Sequence, residues 1–156
     1  MNYMTYHPVD LVNGEGTRCS LFVSGCEHRC KGCFSSKSHS FTAGFEFTKQ
    51  LEDRIISDLN DTTIIRRGLS ILGGEPLHPR NLEAVSKLVD RVRSECPGAD
   101  IWLWTGYTLT TLTEQQRSIA LKVDVLVDGK FEETLKDPSL KWRGSSNQQV
   151  IVMKSC

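Results

Sequence analysis

Hydrophobic residues along the chain fall into short runs that alternate with stretches of helical spacing, and this alternation predicts the order of elements. After an irregular opening, Thr17-Arg18-Cys19-Ser20-Leu21-Phe22-Val23 reads as a strand that stops at Ser24-Gly25. Thr48 is a fitting N-cap for a helix whose Leu51, Ile55, Ile56 and Leu59 share one face. Gly68-Leu69-Ser70-Ile71-Leu72 is a short strand ended by Gly73-Gly74. Leu82, Val85, Leu88, Val89 and Val92 then place an amphipathic helix between Arg80 and Glu95. Cys96-Pro97-Gly98 ends it, because proline cannot continue the hydrogen-bond ladder. Ile101-Trp102-Leu103-Trp104 is a third strand. A helix from Thr113 to Leu121 follows, where Thr113 and Gln116 have capping-box spacing. Val123-Asp124-Val125-Leu126-Val127 and Val150-Ile151-Val152-Met153 supply the last two strands. Strands that alternate with helices of this length imply βαβ crossovers, right-handed connections and a parallel α/β sheet.

Small and polar residues recur just after these strands, at Ser24-Gly25, Gly73-Gly74, Thr105-Gly106 and Asp128-Gly129. Any one of them is what a turn requires. Four in register along the carboxyl edge of a parallel sheet point to one ligand site, since ligands of such sheets bind beyond that edge.

Composition narrows the picture. The chain has 156 residues, enough for one domain with its own core, and nothing in it marks a linker, so a single domain over 1–156 is expected. It is too short for a complete (β/α)₈ barrel, which needs at least about 200 residues. Lys and Arg number 19 and so do Asp and Glu. That balance argues against a nucleic-acid or membrane-surface partner, both of which call for a basic footprint. No secretory signal and no membrane-length apolar run is visible, so a cytoplasmic location with reduced thiols is expected. Clustered cysteines in that setting point to metal or catalysis rather than to disulfides.

Three of the six cysteines lie within the eight residues Cys26-Glu27-His28-Arg29-Cys30-Lys31-Gly32-Cys33. A run this compact can curl around one inorganic centre. One alternative is a zinc-stabilised interaction module without turnover, in which Cys30 and Cys33 form the short pair and Cys19, His28 or His39 completes a tetrahedron. The other is a [4Fe–4S] cluster. Three thiolates leave one of its irons open, and an open iron at a strand end can bind a small ligand directly.

The CxxxCxxC spacing of Cys26, Cys30 and Cys33 resembles that of the radical S-adenosylmethionine (SAM) superfamily. Gly73-Gly74-Glu75-Pro76 is similar to that superfamily's GGEP segment. Asn13-Gly14-Glu15-Gly16-Thr17-Arg18 resembles the DGxGxR opening of its glycyl-radical-enzyme activases. Lys141-Trp142-Arg143-Gly144-Ser145-Ser146-Asn147-Gln148-Gln149, together with Trp104-Thr105-Gly106-Tyr107 and Asp128-Gly129-Lys130-Phe131, looks like the reductase-activase branch, and the likeness covers essentially the whole chain.

The resemblance implies an open, partial (β/α) barrel with a mainly parallel sheet. It implies one [4Fe–4S] cluster on Cys26, Cys30 and Cys33, and SAM held by Gly32, Cys33, Phe34, Gly73, Gly74 and Glu75. Lys130 stands where a cation would meet the SAM carboxylate, and reads equally as a solvated surface lysine. The superfamily often has an aromatic residue where this chain has Gly32, which makes Phe34 the candidate for the adenine contact. Implied partners are the large subunit of an anaerobic ribonucleoside-triphosphate reductase and a one-electron donor such as reduced flavodoxin. The cofactor carries the difficult chemistry, so no side chain is expected to be catalytic, including His7, His28, His39 and His78. His28 and His39 are expected to bear on solvation near the cysteine loop or on the partner surface. Cys19 is expected in the core, and Cys96 and Cys156 as exposed or half-buried thiols.

Overall fold

In the computed structural model, which describes residues 1–153, ten elements follow one another. They are β1 (Asn2–Asp10), β2 (Arg18–Val23), β3 (Phe45–Glu46), α1 (Lys49–Leu59), β4 (Gly68–Gly73), α2 (Leu82–Glu95), β5 (Asp100–Trp104), α3 (Glu114–Ala120), β6 (Val125–Asp128) and β7 (Gln149–Val152). The strands form one sheet in the order β3-β1-β2-β4-β5-β6-β7. Its centre, β2-β4-β5-β6, is parallel. The flanks are not: β1 and β3 run antiparallel on one side, as β7 does on the other. The sheet ends in two edges, β3 and β7, and is not closed. The expected mainly parallel sheet therefore holds for the centre and is corrected at both sides. The irregular opening is corrected too, since residues 2–10 are a strand.

Helix boundaries follow local chemistry. Thr48 accepts the Leu51 N–H, and Thr113 and Gln116 exchange both bonds of a capping box. Alternate residues of the central strands point to opposite faces. Leu21, Leu69, Ile71, Ile101, Leu103 and Leu126 face all three helices and form the main core with Ile55, Val85, Leu88, Val89 and Ile119. Trp102, Val125 and Val127 face the other way and pack with Trp104, Trp142 and Val150 from outside the helical layer.

Cys19 is fully buried, as expected, with its thiol on the Pro8 carbonyl at 3.6 Å. Burial pushes its thiol above the ordinary range. Cys96 is buried as well, at 2% exposure, and its thiol points to the Ile56 carbonyl. That corrects its reading as an exposed or half-buried thiol: the end of α2 packs down against α1. Cys156 lies outside the described residues. Among the described residues no helix is long and apolar enough to cross a membrane.

At the amino ends of the parallel strands sits a fully buried arginine. Arg18 donates to Ser70 Oγ at 2.7 Å, to the Leu69 carbonyl at 3.0 Å and to the Glu15 carbonyl at 3.0 Å. It meets Asp100 at 2.6 Å and lies 5.4 Å from the centre of the Trp102 ring. One guanidinium thus ties the loop before β2 to β4 and β5. Removing one member of a buried pair leaves a charge without compensation. Asp100→Ala is expected to lower the stability of the metal-free protein by about 3 kcal/mol, read as a shift in urea midpoint. Arg67→Ala removes only the exposed partner of Asp100 and is expected to cost less than about 1 kcal/mol.

Candidate functional site

The candidate cysteines lie on the loop that leaves β2 at the carboxyl edge. Its start is anchored by backbone bonds from Gly25 N to the Ser38 carbonyl at 2.7 Å and from Cys26 N to the His39 carbonyl at 3.0 Å. Beyond Cys26 it curls through Arg29 and Gly32, whose φ angles are 49° and 74°. The curl brings Cys26, Cys30 and Cys33 to the wall of one cavity of about 410 Å³. All three are free thiols, Cys26 buried and the other two half-buried. Burial pushes the Cys26 thiol up, opposed by the backbone N–H groups of His28 and Arg29, while the nearby Glu75 charge adds to the rise.

The opposite wall is the strand ends. Leu72, Gly73 and Gly74 line the cavity after β4, Trp104, Thr105 and Gly106 after β5, and Gly129 after β6. Three of the four small-residue turns read from the sequence thus meet at one site. The third wall is the connection from β6 to β7, which supplies Phe131, Lys136, Asp137, Pro138, Arg143, Gly144 and Gln148. This strap is tied to itself. Gln148 accepts the Gly144 N–H at 2.8 Å and donates to the Gly129 carbonyl at 2.9 Å, and Asn147 donates to the Lys130 carbonyl at 2.7 Å. The Trp142 carbonyl accepts the Trp104 indole N–H at 2.7 Å. The run from Trp142 to Gln148 is therefore a cavity wall held by its own polar side chains.

Gly32, Cys33, Phe34, Gly73 and Gly74 all reach the cavity. Phe34 stands at full exposure, 102%, so its ring is free at the mouth. Two expected residues are placed differently. Lys130 is exposed and does not line the cavity; the cations that do are Lys136 and Arg143. Glu75 is 1% exposed and also absent from the lining. Its carboxylate accepts from Leu77 N at 2.9 Å, Thr105 Oγ1 at 2.8 Å and Gly106 N at 2.7 Å, and meets His28 Nε2 at 2.7 Å. Its backbone is also occupied, the N–H by the Gly25 carbonyl and the carbonyl by Asn81.

His28 was the least legible member of the site. Its side chain is only 10% exposed, lines the same cavity and packs edge-on to Tyr107 at 4.6 Å. Its position two residues after Cys26 was visible; its partner, just past the carboxyl end of β4, was not. Of the three residues that could complete a zinc tetrahedron, two are engaged elsewhere, while His39 lines the cavity and its buried Nε2 has no hydrogen-bond partner. Cys19 is bonded to Pro8 inside the core and His28 is engaged by Glu75. Among the described residues no three His, Cys, Asp or Glu side chains gather closely enough for a single metal ion.

Comparison with known proteins gives one family. Residues 12–151 match the family described as a 4Fe-4S single cluster domain. An anaerobic ribonucleoside-triphosphate reductase-activating protein from Escherichia coli K12 is 59% identical over 150 residues, 96% of this chain and 97% of that protein. Its namesake from Vibrio cholerae is 57% identical over 96% of this chain and 97% of its own length. The one from bacteriophage T4 is 42% identical over 96% and 93%.

Gly73 gives a test of the strand-end wall. Its φ is +106°, and a Cβ there would lie 2.7 Å from Val23 N and 2.8 Å from the Val23 carbonyl oxygen, rigid backbone of the neighbouring strand. Gly73→Ala is expected to cost at least about 1–3 kcal/mol in backbone strain alone and to lower the melting temperature of the metal-free protein. Gly98→Ala, where a Cβ meets nothing within 4 Å, is expected to change stability by no more than about 0.5 kcal/mol.

Proposed function

The chain belongs to the family of anaerobic ribonucleoside-triphosphate reductase-activating proteins, and from that premise we propose that it activates such a reductase as a radical SAM enzyme, generating a glycyl radical on the large subunit. The observation that carries this reading is the meeting of Cys26, Cys30 and Cys33 with the Gly73-Gly74 edge at one cavity. A [4Fe–4S] cluster would supply the one-electron reduction, fed by a donor such as reduced flavodoxin, that splits SAM into methionine and a 5′-deoxyadenosyl radical able to take a hydrogen atom from a glycine of the reductase.

The residues of this chain fit that chemistry. Cys26, Cys30 and Cys33 would hold the cluster through three irons and leave the fourth for the substrate's amino and carboxylate groups. Gly73 and Gly74 offer main chain to the amino end at the cavity wall, the space that a Cβ would need at either being taken by the backbone of Val23 and Gly25. Lys136 and Arg143, rather than Lys130, are the cations at hand for a carboxylate. Leu72, Trp104, Phe131 and Pro138 form apolar wall, which limits water around a reactive species. Gly32 and the main chain of Cys33 would lie beside the substrate and Phe34 at the mouth, where its aromatic face can cover an adenine. Glu75 belongs to the support of the site rather than to its surface. An open sheet leaves this mouth accessible to a glycine-bearing loop of a large partner, in keeping with an open partial barrel of radical SAM type.

After anaerobic reconstitution with iron and sulfide, the protein is expected to be brown and, once reduced, to cleave SAM to 5′-deoxyadenosine. Cys26→Ala, Cys30→Ala and Cys33→Ala are each expected to abolish cleavage, and Cys96→Ala to retain it. A mixture of reduced protein, SAM and reductase is expected to give a glycyl doublet in electron paramagnetic resonance. A colourless protein with one zinc would overturn the proposal, and an intact cluster that cleaves SAM without a doublet would remove the partner.

A further inference from the structure

We infer that His28 and Glu75 are positioning residues, a buried clasp that holds the cysteine loop in its curled form against the strand ends before any cofactor arrives. The inference deepens the function proposed above and rests on it for the identity of the cofactor. Its basis is how the loop is held. Among the described residues, 27, 28, 29, 31 and 32 make no backbone–backbone hydrogen bond, and the one such bond inside the curl joins Cys33 N to the Cys30 carbonyl. The segment between the first two cysteines therefore depends on side chains for its place.

Two pairs supply that dependence, and they cross between the same two segments in opposite senses. In the inner pair His28 Nε2 meets Glu75 Oε2 at 2.7 Å, with side-chain exposures of 10% and 1%. In the outer pair Glu27 Oε2 meets His78 Nε2 at 3.1 Å, with Glu27 72% exposed. His78 Nδ1 accepts the Arg80 N–H, so its Nε2 carries the proton and donates to Glu27. On Glu75, N–H and O–H donors from Leu77, Thr105 and Gly106 already point at the carboxylate. His28 is the fourth donor, which fills the acceptor capacity of the group.

The inner pair is the stronger anchor. It is shielded from water, where a hydrogen bond to a carboxylate is worth more than at the surface. The imidazole also lies against Gly106 so closely that a Cβ on that residue would strike its ring, and it stacks edge-on with Tyr107. Losing it frees the chain between Cys26 and Cys30 while Glu75 keeps its three bonds to Leu77, Thr105 and Gly106. The outer pair is solvent-exposed on one side and contributes little.

Alkylation of Cys26 in the metal-free protein, followed by peptide mapping because Cys30 and Cys33 are half-buried free thiols, reads the clasp directly, since Cys26 is 9% exposed and reacts when the loop opens. His28→Ala is expected to react at least about 10-fold faster than wild type with unchanged far-ultraviolet circular dichroism. His28→Gln, which restores a donor of similar reach, is expected to recover most of the protection. Glu75→Gln, which also sets an amide N–H₂ against the donors on one side of the carboxylate, is expected to speed the reaction at least as much as His28→Ala, and the double variant to add little to Glu75→Gln. Glu27→Gln is expected to speed the reaction by no more than about fivefold. In reconstituted protein, loss of iron to a chelator is expected to be about 10–100-fold faster in His28→Ala than in wild type, the usual effect of removing a group that orients ligands. Equal alkylation in wild type and His28→Ala, or no recovery in His28→Gln, overturns the clasp. A wild-type protein that takes up no iron overturns the cluster reading instead, while the alkylation series still decides the clasp.

Discussion

One buried carboxylate joins the parts of the candidate site. Glu75 takes hydrogen bonds from the turn after β4, from the end of β5 and from the cysteine loop. Placing a carboxylate at 1% exposure is costly unless every lone pair finds a donor, and this requirement is what sets the geometry. Thr105 and Gly106 must stand where their donors reach it, and His28 must turn inward. Asn81 takes the Glu75 carbonyl and the Ser24 carbonyl together, which explains why the first residue of α2's cap makes no cap bond with its side chain. The start of a helix, two strand ends and a loop are registered through a single residue.

The other end of β4 has a complementary arrangement. Arg18 is as deeply buried as Glu75, and its donors go to Ser70, Leu69, Glu15 and Asp100. A buried cation thus stitches the amino ends of β2, β4 and β5, and a buried anion their carboxyl ends. Between them the same strands offer only apolar side chains to the helices. The apolar core supplies most of the stability and no particular register between loops. The two charged groups supply that register, because a hydrogen bond tolerates far less displacement than a methyl contact.

These features were unequally legible in the chain. Helices α1 and α2 and the central strands carry clear apolar periods and α3 a capping box, and their positions follow from these signals. β1 does not: residues 2–10 mix polar and apolar side chains on both faces and contain Pro8, and they are mostly half-buried. The proline is tolerated because the pairing with β2 is irregular between His7 and Asp10. The direction of β7 was hidden for another reason, since a short apolar run reads the same whether its neighbour is parallel or antiparallel. The cysteines and the glycine turns are local signals and could be read from spacing. The roles of His28, Glu75, Lys136 and Arg143 depend on which segments meet in space. Glu75 in particular was visible as part of a motif, but the motif does not say whether its side chain faces a ligand or the interior.

The strap from residue 129 to 148 shows how a run of polar residues becomes a wall. Such a segment has no apolar period to dock it, and loops of this length are seldom fixed without a reason. Here Asn147 and Gln148 bind the carbonyls of Lys130 and Gly129 at the strap's start, which closes it into a ring at its base. A single antiparallel bridge between Lys136 and Ser145 stiffens the middle. Trp142 adds an apolar hinge by packing on Trp102, with ring centres 4.8 Å apart. Two walls of the cavity are therefore fixed by independent polar networks, one centred on Glu75 and one on Gln148. The strap is joined to the strand ends by the Trp104–Trp142 bond and the Trp102–Trp142 packing, whereas it meets the cysteine loop through an exposed Lys31–Glu133 pair at 3.8 Å and through Glu133 packed over Gly32. That junction sits at the mouth beside Phe34. It is consequently the weakest of the contacts that join the cysteine loop to the strap.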